Sequence, residues 1–138
     1  MSFVVLDSEA VSVLASPEER GGSSRRAQAI LVEAERRSAL VRVPAAVLIE
    51  LYTGGRRDAA IDRIVEQPDR VVAIDRSIAR LAGGLLSRCR LDSRHAVDAL
   101  VVATAVSLGP SVIVTGDKDD LSKLAAKHSH VLVIELRG

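Results

Sequence analysis

Short apolar runs rich in β-branched residues alternate along this chain with longer segments whose apolar positions recur at helical spacing. Phe3–Leu6 (FVVL) predicts a first strand, and Ser8–Ala15 a short helix. Residues Pro17 to Ser24, with two glycines and two serines, read as a loop. From Arg25 to Arg37 the positions Ala27, Ile30, Leu31 and Ala34 form one apolar stripe, and Arg and Glu fill the other face. Leu40 to Val43 predicts a second strand, and Pro44 opens a helix that ends near Tyr52, ahead of Gly54 and Gly55. A further amphipathic helix is expected from about Arg57 to Glu66. Val71 to Ile74 predicts a third strand, followed by helices over Ser77 to Arg88 and Arg94 to Ser107. After the breaker pair Gly109-Pro110 come a fourth strand (Ser111–Thr115), a helix (Lys118 to Lys127) and a fifth strand, VLVIEL. Strands that alternate with helices predict an α/β fold around a mostly parallel sheet of about five strands, because parallel strands need crossover helices. In such sheets the working site lies at the carboxyl ends of the strands.

Composition narrows the chemistry. The 138 residues predict a single domain over 1–138. Hydrophobic residues make up 48%, yet Phe3 and Tyr52 are the only aromatics, so Val, Leu, Ile and Ala must build the core. That scarcity works against RNA recognition by base stacking. The lone Cys89 excludes an internal disulfide and a cysteine-based zinc site, and fits a reducing cytoplasm. Asp7 and Glu9 interrupt the opening where a secretory signal would stay apolar. The 18-residue charge-free stretch Ala99–Gly116 is broken by Gly109-Pro110, so it reads as helix, turn and strand instead of a membrane span.

The net charge of +1 hides a division. Residues 1–19 carry four acids and no base, residues 20–94 carry 15 basic against nine acidic residues, and residues 95–138 carry four against five. Near-neutrality therefore does not exclude a nucleic-acid enzyme.

A few carboxylates stand out by placement. Asp7 closes the first strand, and Asp117, with Asp119 and Asp120 behind it, follows the fourth. Glu50 is the only charge between Val43 and Gly55. Asp98 is the only ionisable side chain between His95 and the end of its strongly apolar helix, where an unpaired carboxylate would cost several kcal/mol. Helix capping accounts for Asp7, and for Asp117 with Asp120, equally well one at a time. Capping does not account for Asp98. A hard divalent cation, Mg²⁺ or Mn²⁺, accounts for all four acids, since clustered carboxylates would otherwise repel one another.

These segments resemble the PIN domain, and specifically the VapC-type toxin ribonucleases of bacterial toxin–antitoxin pairs. VVLDSEAVSVL is similar to the family's opening strand, with Asp7 as first acid and Ser8 at a usual hydroxyl position. PAAVLIELYTG resembles the second motif, with Glu50. VDALVVATAVSLG, with Asp98 ahead of a small-residue helix, is the most specific match. VIVTGDKDDL resembles the closing Thr-x-Asp, with Thr115 and Asp117. Three positions depart from the pattern: Glu9 stands where a small polar residue is more usual, Gly116 replaces a larger residue, and Leu121 stands where an aromatic is common. Either Asp119 or Asp120 can be the second closing acid, and Asp120 lies one helical turn from Asp117.

The resemblance implies a three-layer α/β fold and metal-dependent hydrolysis of RNA phosphodiester bonds. Asp7, Asp98, Asp117, Glu50 and Asp120 would hold Mg²⁺ or Mn²⁺, and Ser8 and Thr115 would orient carboxylates or water. It also implies a cognate antitoxin and a homodimer. Arg25, Arg26, Arg36, Arg37, Arg56 and Arg57 are candidates for tracking an RNA backbone, although pairing with Glu on an exposed helix face accounts for them as readily. His128 and His130 form a His-x-His that could bind a transition metal, and His95, one turn before Asp98, either faces the cleft or supplies ordinary helix-start polarity. Two other functions stay open. A haloacid-dehalogenase-like phosphatase would use Asp7 as nucleophile, but needs a second Asp where Glu9 stands. A binding module would keep the fold without turnover.

Overall fold

The structure, a computed structural model, describes residues 2–137, and residues 17–20 by their backbone alone. Five parallel strands form one sheet: β1 (Phe3–Leu6), β2 (Leu40–Pro44), β3 (Val71–Val72), β4 (Ser111–Thr115) and β5 (Val131–Glu135). Their order is β3-β2-β1-β4-β5. β1 is central, pairing Phe3 with Leu40 on one side and Leu6 with Val114 on the other. The chain steps outward from β1 in one direction and then returns to its far side through β4. That reversal leaves a crevice beyond the carboxyl ends of β1 and β4, because the segments leaving the two strands diverge.

Among the described residues seven helices cover the sheet: α1 (Ser8–Ala15), α2 (Pro17–Arg36), α3 (Leu48–Leu51), α4 (Asp58–Val65), α5 (Arg76–Cys89), α6 (Ala96–Leu108) and α7 (Asp119–Ala125). α1 lies on β1 and β4 with α2 and α4 against it, whereas α6 crosses β1, β2 and β4 with α5 and α7 against it. The result is the expected three-layer α/β architecture. The core is aliphatic, with Val5, Val11, Val43, Val47, Ile61, Leu85, Val102 and Ile113 almost fully buried. The small residues Ala99, Ala103 and Ala105 let α6 pack closely on the sheet.

Four local expectations are corrected. Residues 17–24 are helical, not a loop: Pro17 occupies the start of α2, where a missing N–H leaves no broken bond, and Gly21 (φ 48°, ψ −111°) absorbs a kink between two helical pieces. Pro44 does not open a helix. It closes β2, opposite Val72, and a 3-10 turn at Ala45–Val47 precedes the single turn of α3. β3 ends at Val72 instead of Ile74, because Asp75 already serves as the cap of α5, its Oδ1 accepting from the Ile78 N–H at 2.8 Å. A 3-10 turn at Ser93–His95 replaces the first turn expected of the following helix, so α6 begins at Ala96. Among the described residues no helix is long and apolar enough to cross a membrane.

Candidate metal centre

A cleft of about 500 Å³ opens at the carboxyl ends of β1, β4 and β5. Its walls are mostly acidic: Asp7 and Glu9 from the start of α1, Asp98 from the first turn of α6, and Asp117 and Asp120 from the segment after β4. Thr115, Gly116, Glu135 and Arg137 complete the lining.

Each acid is placed by local geometry. Asp7 is anchored twice: its N–H donates to the Val114 carbonyl at 3.2 Å, and its Oδ1 accepts from the Ala10 N–H at 2.9 Å. It therefore caps α1 and lines the cleft at once, so the two uses of Asp7 are compatible. Thr115 is fully buried at the end of β4, where its Oγ1 accepts from the Asp117 N–H at 3.1 Å. Asp117 is exposed and receives the Asp119 N–H on Oδ1 at 3.1 Å, a tight turn that starts α7. This turn directs Asp120 to the cleft, while Asp119 is exposed and is not part of the lining.

Asp98 corrects an argument made from the sequence. α6 is indeed buried along most of its length, but its first turn projects beyond the sheet and leaves the Asp98 side chain 42% exposed. What holds it is the cleft and not an apolar surround. Glu50, on α3, is exposed and borders a smaller neighbouring recess with Ser8 and Arg57, not the main cleft. Its charge still reaches Asp98.

The electrostatics follow from crowding. Burial pushes the Asp7 carboxyl up to about 6, aided by the charges of Glu9 and Asp98 and opposed by hydrogen bonds from Thr115 and the Ala10 amide. Burial also raises Asp98, with Asp120, Glu50 and Asp117 adding repulsion and His95 opposing it. A site in which ionisation is held back by burial first, and by neighbouring carboxylates as well, is one that a cation stabilises.

The proposed arginines divide. Arg36 and Arg37 both pair with Glu33, at 3.1 and 2.8 Å, at the end of α2 nearest the amino end of β2, away from the cleft. The Arg57 guanidinium bonds the Ser12 hydroxyl and its carbonyl, tying α4 to α1. Arg25, Arg26 and Arg56 are exposed. His130 turns its Nε2 to the Val106 carbonyl at 3.3 Å, and its ring meets His128 edge-on at 6.1 Å, so that pair does not join the acids.

Glu135 and Arg137 escaped the sequence reading. Glu135 closes β5 just as Asp7 closes β1, so the same strand-end rule was available for it. Its Oε1 accepts from the Lys118 N–H at 3.3 Å and braces the β4–α7 segment. Arg137 lies beyond the last strand and carries no pattern that would mark it.

The donor set is oxygen-rich, with one imidazole close by, and it suits a hard or borderline divalent cation. Fold and cleft together define a doubly wound α/β protein with a carboxylate-walled pocket at its topological switch point. The chain belongs to the PIN domain family, whose model matches residues 4–127. Among solved structures it is similar to a chain of the VapBC2 complex from Rickettsia felis bound to a DNA fragment from their promoter. The identity is 13% and the TM-score 0.68, covering 98% of each chain. No curated protein matches this sequence.

Proposed function

We propose that this protein is a divalent-metal-dependent endoribonuclease, the toxin of a toxin–antitoxin pair. The observation that carries the reading is the convergence of Asp7, Asp98, Asp117 and Asp120, from three separate segments of the chain, on one cleft. Asp7, Asp98, Asp117 and Asp120 would hold Mg²⁺ or Mn²⁺, with Glu50 supporting from the adjoining recess. The cation, when bound, supplies charge neutralisation for the phosphodiester and lowers the pKa of water at the site.

The chain's own residues have defined tasks. Asp7 is fixed by its backbone anchor and by the Ala10 amide, so its carboxylate is oriented before substrate arrives. Thr115 fixes the backbone of Asp117 from beneath. Arg137 sits on the cleft wall, where its guanidinium suits a phosphate oxygen. Arg25, Arg26 and Arg56 are free to follow an RNA backbone by charge alone, as the lack of aromatics requires. Arg36, Arg37 and Arg57 have structural partners, which argues against that role for them.

A partner is proposed by likeness: the Rickettsia felis protein is described in a VapBC complex, and a cognate antitoxin would hold this chain inactive. A homodimer and a cytoplasmic setting belong to the same proposal. The phosphatase alternative gains no support, since the position that scheme assigns to a second Asp is Glu9, whose side chain packs over Gly116.

The test is direct. Purified protein with Mg²⁺ or Mn²⁺ should cleave RNA, a chelator should stop it, and Asp98→Asn should be inert while folded. Full activity in Asp98→Asn overturns the site. Cation binding without cleavage would instead identify a binding module.

A further inference from the structure

We propose that His95, with Asp98 and Asp120, makes the cleft a transition-metal site in which the imidazole supplies a nitrogen ligand. Three segments bring these groups together: the 3-10 turn at Ser93–His95, the first turn of α6, and the first turn of α7. His95 Nδ1 stands 3.5 Å from Asp120 Oδ2 and 3.9 Å from Asp98 Oδ2. One ligand atom from each of the three lies within 4.8 Å of the others. Metal–ligand bonds of about 2.1 Å at right angles put ligand atoms about 3 Å apart, so the three side chains must close by up to about 2 Å to share one ion.

Among the described residues the His95 ring has no hydrogen-bond or ion-pair partner besides Asp98 and Asp120. It makes no capping hydrogen bond to α6, and Asp92 caps the turn before it, its Oδ1 accepting from the Arg94 N–H at 3.0 Å. Its side chain is nevertheless only 25% exposed, held at the edge of the acids. Helix-start polarity therefore does not account for the ring's position. A cleft of carboxylates alone suits Mg²⁺, whereas an added imidazole raises affinity for first-row transition ions. The consequence is a preference for those ions over Mg²⁺ in this chain.

This inference rests on the reading of the cleft as a cation site, and the experiment separates the two. Mn²⁺ serves as the probe, with pulsed electron paramagnetic resonance on the whole chain and Mg²⁺ as competitor. Bound Mn²⁺ should show coupling to an imidazole ¹⁴N in the wild type. His95→Gln should lose that coupling and bind Mn²⁺ roughly tenfold or more weakly, while Mg²⁺ binding is nearly unchanged. Mn²⁺ bound to the wild type without nitrogen coupling overturns the inference alone and leaves the carboxylate site standing. That arm needs no variant and does not depend on how His95→Gln folds. Failure of Mn²⁺ to bind at all overturns the inference and the cation-site reading together.

Discussion

The side chain of Glu9 occupies the space over Gly116: a Cβ on residue 116 would stand 2.2 Å from Glu9 Cγ and 2.9 Å from Glu9 Cβ. Gly116 does not adopt a positive φ, so its requirement for glycine is steric and not conformational. Two departures from the PIN pattern, an added carboxylate at 9 and a missing side chain at 116, are thus one compensated pair across the cleft.

That pairing predicts non-additivity. Gly116→Ala should destabilise the protein by about 1–3 kcal/mol, as overpacking usually does, or force Glu9 out of the cleft. Glu9→Ser removes the closest contact, that of Cγ, and leaves only the approach of Cβ, so the double substitution should recover part of the loss. Urea denaturation of the four proteins measures the coupling, and strictly additive effects would refute the pairing.

Asp7 gives the metal-free protein a distinctive pH dependence. Its carboxyl is raised from 3.8 to about 6, so between those values the folded state holds more proton than the unfolded state. By linkage, stability from this group is full below about 4 and is lost as pH rises through about 6, the reverse of an ordinary salt-bridged acid. The loss is at most about 3 kcal/mol, less whatever solvent at the cleft mouth screens. Asp7→Asn keeps a good helix cap and removes the charge. Thermal melts in chelator at pH 5 and 7.5 should show the wild type falling further than Asp7→Asn; equal slopes would contradict the account.

The architecture was legible because strand and helix periods differ and the strands here are short, β-branched runs. Asp7 and Asp117 could be found from strand ends alone. The failures share a cause: a local signal was outweighed by context. Gly-Gly-Ser-Ser reads as a loop, yet it lies within a helical segment, where Gly21 takes up the kink. Pro44 is compatible with a helix start and with a strand end, and only its pairing with Val72 decides. Asp98 was identified from its apolar neighbours, although those neighbours pack farther along α6 than the turn it occupies. The relation of His95 to Asp120 joins two residues 25 positions apart and has no sequence signature.

Arg57 distinguishes a structural arginine from an RNA contact. Its guanidinium holds the Ser12 hydroxyl and carbonyl, 45 residues away in the chain, and so fastens α4 to α1. Arg57→Ala should cost roughly 1–2 kcal/mol of stability. RNA binding by the folded variant should keep the same salt dependence. A reduced salt slope with unchanged stability would assign Arg57 to phosphate instead.

Charge crowding makes the final prediction one of opposite signs. In the absence of a cation, Asp98 is disfavoured as an anion by burial and by Asp120, Glu50 and Asp117, so Asp98→Asn should melt at a higher temperature than the wild type near pH 7.5. Saturating Mn²⁺ should reverse the order. A cation at about 100 times its dissociation constant stabilises the wild type by about 2.7 kcal/mol, equivalent to several degrees for a chain of this size. The variant, lacking a charged ligand, should gain much less. Thermal melts of both proteins across a Mn²⁺ titration measure this directly. Curves that cross support a site whose carboxylates are held in mutual repulsion until a cation enters. Equal gains by both proteins would place the cation elsewhere and remove Asp98 from the centre.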